Sequence, residues 1–353
     1  MIKVLIVEDS RTVSQYLEFI INNDPNIEVI GNVANGQLAV DFMKKKRPDI
    51  ITMDVDMPVM NGLEATRIIM STTAVPIIVV TASRNAHDMQ ISIEALAAGA
   101  LTVIRKPVGI GHPDEEEKVK KLLSMIKTYS QVKVITRKYI TTKKTTVKTY
   151  AAPKAQGIVP TVGQLQKRKI VAVGISSGGP EVLSKIFSKI TGKFPHPILV
   201  VQHITQGFLE GMVKWFDRLS KIPVRIASDG EKLMPGNIYF APDNFQMEVN
   251  FNRIKLRKCV KDVRICPSVK CLFNSLAIHH GKETLAMILT GMGRDGAMEL
   301  KTLRDAGALT IAQDKESSLV HGMPGEAIKL NGAAYILDPD QIADVLLDIE
   351  NCT

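Results

Sequence analysis

Two adjacent serines lie in a glycine-rich turn whose spacing is typical of a hydrolase nucleophile. The apolar run 171–173 leads into Gly174-Ile175-Ser176-Ser177-Gly178, a Gly-x-Ser-x-Gly pattern. Its glycines permit a tight strand-to-helix turn with the central serine at the apex, and the helix that follows offers free amides to an oxyanion. We therefore predict Ser176 as a nucleophile and the amide of Ser177 as an oxyanion donor. A phosphate-binding loop is the alternative, although the GxGxxG spacing and the P-loop lysine are missing.

A serine needs a base and an orienting acid, and two candidates follow apolar runs. His203 comes just after the run 198–201, and Asp295 lies in a glycine-rich turn after the run 285–289. The carboxyl ends of parallel strands meet at one edge of a sheet, so we expect both side chains near Ser176. We predict His203 as the general base and Asp295 as the acid that orients it. A surface histidine and a helix N-cap are the alternatives.

Acids, a hydroxyl and a lysine follow the apolar runs of the first third of the chain. In chain order these residues are Glu8 and Asp9, then Asp54, Thr81 and Lys106. Three converging carboxylates repel one another and need a cation, and their oxygen atoms suit Mg²⁺. A hydroxyl and a lysine across the same cleft can hold a phosphoryl group. We therefore predict a Mg²⁺ and phosphoryl site at this edge of the sheet.

The elements that must position these residues form two α/β patterns in a chain of 353 residues. Residues 1–126 alternate apolar runs with amphipathic stretches, which predicts a doubly wound, flavodoxin-like parallel sheet of five strands. Residues 127–168 are rich in Lys and Thr, and we expect a flexible linker there. Residues 169–350 predict a mostly parallel sheet with antiparallel hairpins within 236–258. The predicted strands are 4–7, 27–33, 50–53, 77–80 and 101–104, then 170–173, 198–201, 224–226, 285–289 and 308–311.

The net charge of +9 comes from one segment of the chain. Between Lys118 and Pro180 there are 14 Lys or Arg residues and no acid, while the remainder of the chain is net acidic. Few aromatic residues interleave with this segment. Because nucleic-acid binding needs a broad basic surface or a stacking platform, we expect no nucleic-acid partner.

Cysteine usage and hydropathy indicate the compartment. Cys259, Cys266, Cys271 and Cys352 form no CxxC pair and no metal-ligand spacing, and we expect ordinary thiols in a reducing cytoplasm. No apolar run reaches the roughly 18 residues of a membrane helix, and the N-terminal run is too short for a signal peptide. We predict a cytoplasmic protein without membrane insertion.

The first third of the chain resembles the response-regulator receiver domain of two-component signalling. This resemblance implies that Asp54 accepts phosphate from a histidine kinase and that Thr81 and Lys106 contact the phosphoryl oxygens. It also implies Mg²⁺ ligands from Asp9, Asp54 and the Asp56 carbonyl, with Glu8 assisting through water. Val103 departs from the family, which often has an aromatic switch residue there. The matching stretches are Val7-Glu8-Asp9-Ser10, residues 53–62, Thr81-Ala82-Ser83 and Lys106-Pro107.

The whole chain, with its second domain, resembles the chemotaxis protein-glutamate methylesterases. The resemblance implies a triad of Ser176, His203 and Asp295, with the amides of Ser177 and Met292 as oxyanion donors and no cofactor for ester hydrolysis. It implies that the substrates are methylated glutamates, and for many members glutamines, on the cytoplasmic helices of chemoreceptors. The matching motifs are residues 174–179, Gln202-His203, Tyr239-Phe240-Ala241-Pro242, Pro267-Ser268-Val269, residues 289–296 and Gly322-Met323-Pro324.

Three positions depart from the methylesterase pattern. Cys266 and Lys270 stand where the family usually has Arg and Asp, and Gly325 stands where an arginine often follows Met-Pro. An ion pair or a substrate contact at the first two positions is therefore altered. The alternative functions are a response regulator with a non-catalytic, partner-binding output domain and a DNA-binding regulator. The second is disfavoured because no helix-turn-helix pattern follows residue 126.

Overall fold

A computed structural model of the protein describes residues 1–82, 86–107, 113, 115–134, 159–260 and 265–351. Within these residues the N-terminal sheet has the strand order β2-β1-β3-β4-β5, and all of its pairs are parallel. The inner strands are almost wholly buried and rich in Val and Ile, as expected for a sheet covered on both faces. This confirms the predicted five-stranded doubly wound fold. The strands are β1 (Ile2–Val7), β2 (Ile27–Val33), β3 (Ile50–Met53), β4 (Ile77–Thr81) and β5 (Thr102–Arg105).

Helices cover both faces of this sheet, and polar side chains set where two of them begin. Asn35 accepts a hydrogen bond from the Leu38 amide at 3.0 Å, and Asn61 accepts one from the Glu64 amide at 2.9 Å. Such side chains satisfy amides that lack a partner in the first helical turn. The helices are α1 (Arg11–Asn22), α2 (Gly36–Met43), α3 (Gly62–Thr72), α4 (Ala86–Ala97) and α5 (Glu115–Tyr129).

The second sheet is parallel throughout its described strands. Its order is β14-β13-β12-β6-β7-β9-β8, so the chain reverses direction of winding beside the central strand β6, where ligand sites of such sheets lie. Two further strands, β10 and β11, form a separate antiparallel hairpin. The strands are β6 (Ile170–Ile175), β7 (Ile198–Gln202), β8 (Val224–Ile226), β9 (Ile238–Phe240), β10 (Phe245–Asn250), β11 (Arg253–Lys258), β12 (Thr284–Ile288), β13 (Leu309–Gln313) and β14 (Tyr335–Leu337).

Helices pack on both faces of the second sheet around two apolar clusters. None of the helices in the described ranges is both long and apolar enough to cross a bilayer. The helices of this domain are α6 (Val162–Leu165), α7 (Gly179–Phe187), α8 (Leu209–Leu219), α9 (Val269–His280), α10 (Ala297–Asp305), α11 (Met323–Lys329) and α12 (Pro339–Asn351).

Three expectations from the sequence need correction. The segment Ile238–Phe240 is not part of an antiparallel hairpin, because it pairs in parallel with β7 and β8. Residues 159–168 of the predicted linker contain α6, and Gln164 in this helix accepts a hydrogen bond from the Tyr335 hydroxyl at 3.0 Å. Residues 127–129 of the same predicted linker belong to α5, and Tyr129, Val132 and Val134 pack against the apolar cluster of the first domain. Residues 135–158 of the linker lie outside the described residues. Cys259 and Cys266 form a disulfide and are not ordinary thiols.

Candidate functional sites

The Gly-x-Ser-x-Gly turn has the geometry of a nucleophile elbow. It leaves the buried strand β6 at Ile175 and enters α7 at Gly179. Gly178 has a φ of +82°, and a Cβ atom there would lie 2.7 Å from Cβ of Leu319, so only glycine fits without strain. Ser176 is 9% exposed, and its amide donates to the Thr290 carbonyl at 3.0 Å. The turn is therefore fixed both by its own conformation and by the loop that follows β12.

Gln202 joins the serine turn to the histidine strand. Its Nε2 atom donates to the Ser176 carbonyl and to the His203 carbonyl, each at 2.9 Å. A Cβ atom on Gly179 would lie 2.1 Å from Gln202 Oε1, so the amide packs directly beneath the elbow. The sequence assigned Gln202 no role beyond its place in a motif. Its bonding positions the backbones of two predicted catalytic residues relative to each other.

The structure brings His203 and Asp295 into contact. His203 Nε2 lies 3.0 Å from Asp295 Oδ2. Because a carboxylate accepts, this nitrogen donates, and Nδ1 is left as the acceptor of the neutral ring. His203 is thus in the tautomer that carries its proton on Nε2, and its Nδ1 atom is available to accept a proton from a nucleophile.

Two backbone amides at the start of α9 hold the Asp295 carboxylate. Val269 donates to Oδ2 at 2.7 Å, and Lys270 donates to Oδ1 at 3.2 Å. The positive end of a helix dipole favours a negative charge at this position. These contacts were not predictable from the sequence, because no pattern in residues 268–270 indicates that Asp295, 25 or more positions away, lies beside them. These two amides therefore fix the position of the Asp295 carboxylate beside His203.

The predicted oxyanion donors lie in the two loops that flank Ser176. Ser177 is buried, and its carbonyl accepts a hydrogen bond from Thr290 Oγ1 at 2.9 Å. A Cβ atom on Gly291, the residue before Met292, would lie 2.7 Å from Cβ of Ser176. The backbone that leads to Met292 thus passes directly against the serine. Both donors are placed beside the residue they are predicted to serve.

The first domain brings Glu8, Asp9 and Asp54 together. One carboxylate oxygen from each lies within 4.8 Å of the others. Lys106 Nζ lies 2.6 Å from Asp54 and 2.8 Å from Glu8. Thr81 is buried at the end of β4, and its carbonyl accepts the Lys106 amide at 2.9 Å. Four of the predicted pocket residues are thereby gathered at one edge, and Thr81 ends the neighbouring strand.

Burial perturbs the charges in this pocket. It raises the pKa of Glu8, and the nearby Asp54 carboxylate raises it further. Burial also raises the pKa of Asp54, even though Lys106 opposes that shift. Burial alone would lower the pKa of Lys106, but its contacts with the two acids outweigh burial and raise it. Because one lysine faces three acids, the oxygen donors carry uncompensated negative charge and fit a hard divalent cation.

Two further features of the loop after β3 bear on this site. Asp56, whose carbonyl was predicted as a Mg²⁺ ligand, is exposed, and its side chain is not among the converging carboxylates. A Cβ atom on Gly62 would lie 1.9 Å from the Asp54 carbonyl oxygen, so α3 can start this close to Asp54 only with glycine. The Asp56 side chain is therefore not part of this carboxylate cluster, and a role for its carbonyl stays a prediction.

The receiver domain packs against the second domain through α4. Ile93 of α4 is fully buried in the apolar cluster of α7 and α8. Phe208 and Leu319, from loops of the second domain, are buried in the cluster of the first. Arg218 of α8 donates to Gln90 of α4 at 3.2 Å. The two domains therefore share a continuous core.

This interface reaches the residues around the triad. Ile204, directly after His203, packs against both shared clusters, and Met292 packs against the cluster that contains the receiver residues. On the receiver side, Arg105 ends β5, the strand that precedes Lys106. Arg105 and the 205–207 loop line a cavity of about 450 Å³, and a Cβ atom on Gly207 would lie 2.8 Å from Arg105 Nη2, so the guanidinium lies against this loop. A change at Asp54 or Lys106 therefore has a short packed route to His203 and Met292.

Comparison with known proteins agrees with this architecture. Residues 4–114 match the family described as response regulator receiver domain, and residues 171–346 match CheB methylesterase. The fold and the two sites thus define a response regulator whose output domain is an enzyme. The chain belongs to the protein-glutamate methylesterase/protein-glutamine glutaminase family.

Two relatives that match over nearly the whole of both chains show this membership. A protein-glutamate methylesterase/protein-glutamine glutaminase of Nitrosospira multiformis is 44% identical over 99% of this chain and 97% of its own. A second, from Geobacter metallireducens, is 43% identical over 99% of both chains. The crystal structure of the Thermotoga maritima CheB methylesterase catalytic domain is 35% identical and covers 51% of this chain and 97% of its own, with a TM-score of 0.48.

Proposed function

We propose that this protein hydrolyses glutamate methyl esters on the cytoplasmic helices of chemoreceptors and releases methanol, and that it also deamidates receptor glutamines. The observation that carries the proposal is the contact of His203 with Asp295, itself held by two helix amides, beside the Ser176 elbow. Relatives with full-length identity above 40% bear both activities in their names. The enzyme is a serine hydrolase, and its ester chemistry uses no cofactor.

Each residue has one task in the reaction. Ser176 Oγ bonds to the ester carbonyl carbon while Nδ1 of His203 takes the hydroxyl proton. The amides of Ser177 and Met292 stabilise the oxyanion, and Asp295 stabilises the imidazolium. The intermediate then expels the methoxy group, which takes the proton from His203 and leaves as methanol. Water, activated by the same base, hydrolyses the acyl-enzyme and restores the Ser176 hydroxyl.

Phosphorylation of the receiver regulates access to this site. A histidine kinase donates the phosphoryl group to Asp54, and Thr81 and Lys106 bind its oxygens. Asp9, Asp54 and the Asp56 carbonyl would hold Mg²⁺, with Glu8 assisting through water, and the cation would offset the charge of the phosphoryl group. The phosphoryl group adds a charge of about −1.5 to −2, which attracts Lys106 and reorders the adjoining loops. Because Val103 stands where receivers often have an aromatic switch residue, this change does not depend on the rotation of an aromatic side chain. This reordering loosens the α4 interface and opens the sheet edge around Ser176 and His203 to receptor helices.

Three further assignments belong to this proposal. The receiver extends from residue 1 to the end of α5, the methylesterase domain from α6 to residue 350, and the basic linker joins the two. The protein acts in the cytoplasm without membrane insertion, because its substrates are cytoplasmic helices. Nucleic acid is not a partner, since the basic residues concentrate in the linker.

Magnesium affinity of the receiver is expected to rise with pH. Protons compete with the cation for Glu8 and Asp54, whose raised pKa values keep them protonated above the usual carboxylate range. We expect the Kd for Mg²⁺ to fall as the pH rises from the usual carboxylate range to neutral, because the two groups then lose their protons. Isothermal titration of the full-length protein with MgCl₂ measures this, and a Glu8→Gln variant is expected to show a smaller change. A Kd independent of pH over this range contradicts the described electrostatics.

Methanol release separates the proposed function from a non-catalytic output domain. Receptor membranes carrying radiolabelled methyl groups are incubated with the purified full-length protein, and volatile methanol is counted over time. We expect release well above that of membranes alone, and mass spectrometry of receptor peptides is expected to show glutamate at sites that held methyl-glutamate or glutamine. If methanol release equals the membrane blank, the second domain acts as a binding module.

A further inference from the structure

The disulfide lies at the base of the hairpin beside the triad. Cys259 directly follows β11, and its amide donates to the Asn244 carbonyl at 2.9 Å. Its partner Cys266 is seven positions on, with a Cα–Cα distance of 6.5 Å. Both residues are half-buried, so small thiols and disulfides can reach them. Cys266 is one of the positions at which this chain departs from the family pattern.

A short series of hydrogen bonds leads from this disulfide to the triad acid. Gln246 of β10 donates to the Ile265 carbonyl at 3.0 Å and accepts from the Ser268 amide at 2.7 Å. The next two amides, Val269 and Lys270, are those that hold the Asp295 carboxylate. Cys266 is therefore three residues from an amide that bonds to the same oxygen as His203 Nε2. The disulfide tethers the start of this segment to β11.

We propose that Cys259 and Cys266 are a reversible dithiol–disulfide site that controls how firmly Asp295 is positioned, and thereby the rate of ester hydrolysis. The inference rests on the proposed function and on its cytoplasmic location, where disulfides are typically redox-sensing. Oxidation proceeds by exchange with a low-molecular-weight disulfide. One thiolate attacks it and releases one small thiol, and the second cysteine displaces the other, so two protein thiols become one disulfide and one small disulfide becomes two thiols.

The oxidised form is the more active one. Closing the loop between Cys259 and Cys266 restricts the segment that carries the Val269 and Lys270 amides, and Asp295 then holds His203 in its reactive orientation more of the time. We expect reduction to lower kcat by about threefold to tenfold, since small displacements of catalytic groups have effects of this size or larger. The KM is expected to change little, because Asp295 acts through His203. Loss of the cross-link is expected to lower the Tm of the second domain by about 5 °C.

The test equilibrates the full-length protein in glutathione buffers of increasing oxidised fraction. Alkylation and mass spectrometry count free thiols, while kcat and KM are measured on a soluble glutamate methyl ester peptide. Cys259→Ser and Cys266→Ser variants are expected to stay at the low kcat of the reduced form in every buffer. Cys271→Ser is the matched control, because Cys271 is a free thiol 3.9 Å from Arg257, outside the pair, and it should respond as the wild type does.

The outcomes separate this inference from the proposed function. Absence of the Cys259–Cys266 disulfide in fully oxidised buffer, or equal kcat values for both forms, overturns the redox site while the esterase stands. A disulfide that forms and shifts the Tm while no ester is cleaved in any buffer overturns the proposed function, and the link to Asp295 with it. A redox response in Cys259→Ser equal to that of the wild type assigns the effect to another cysteine and also overturns the proposal.

Discussion

Replacing Ser176 with alanine is expected to lower kcat for methyl ester hydrolysis by about 10⁵-fold to 10⁶-fold. The variant keeps the elbow and the oxyanion amides but has no atom that can form the acyl-enzyme. His203 can then act only on water, which is not held at the carbonyl carbon. Initial rates on a soluble glutamate methyl ester peptide measure the loss.

The control for this variant is the serine at the opposite end of α7, away from the predicted catalytic residues. Ser188 is exposed at the end of α7, and its hydroxyl donates to the Lys185 carbonyl within the helix. We expect Ser188→Ala to keep kcat, and both variants to melt near the wild-type temperature. A Ser176→Ala variant that retains more than about a tenth of the wild-type kcat contradicts its assignment as the nucleophile.

Replacing Asp295 with asparagine is expected to lower kcat by about 10⁴-fold. The side-chain amide presents a donor as well as an acceptor to groups that are all donors, namely His203 Nε2 and the amides of Val269 and Lys270. In the position of Oδ2 the amide nitrogen faces His203 Nε2, which must then accept, so the ring takes the reversed tautomer with the proton on Nδ1; in the position of Oδ1 it faces the Lys270 amide and weakens the hold on the side chain. The reversed tautomer cannot take the Ser176 proton. The same ester peptide assay reads out the effect.

Asp305→Asn is a matched control for this change. Asp305 ends α10, the helix that begins two residues after Asp295, and pairs with Lys301 on the surface at 2.7 Å. Exposed pairs of this kind contribute little to stability, about 0 to 1 kcal/mol. We expect its kcat to match the wild type. If Asp295→Asn loses less than about tenfold in kcat, Asp295 does not orient the base.

Most of the fold was predictable because the apolar runs in the sequence coincide with the strands of the two observed sheets. The predicted strands 27–33, 50–53 and 224–226 have the observed bounds, and the others differ at their ends by a residue or two. The segment 238–240 failed because its three buried residues carry no information about their partners. Its neighbours β7 and β8 lie far away along the chain, and pairing direction is set by that tertiary contact.

The sites were predictable in residue type but not in their supporting contacts. Strand-end positions led to the prediction of Ser176, His203 and Asp295, since parallel strands bring such ends together, and the structure places His203 against Asp295. The bracing by Gln202 and by the Val269 and Lys270 amides depends on side-chain packing across the sheet, which spacing does not encode. The Cys259–Cys266 pair was missed because its spacing resembles no metal or redox motif, and only the hairpin brings the two residues together.

The measurement that tests the account most directly is methanol release from methyl-labelled receptor membranes, with and without a small acyl phosphate and Mg²⁺. Wild type, Asp54→Asn and Ser176→Ala are compared as full-length proteins. The account predicts that the phosphodonor raises the wild-type rate by about fivefold or more, that Asp54→Asn stays at the unstimulated rate, and that Ser176→Ala remains at the membrane blank throughout. Equal stimulation of Asp54→Asn, or release by Ser176→Ala at the wild-type rate, contradicts a receiver-controlled serine esterase.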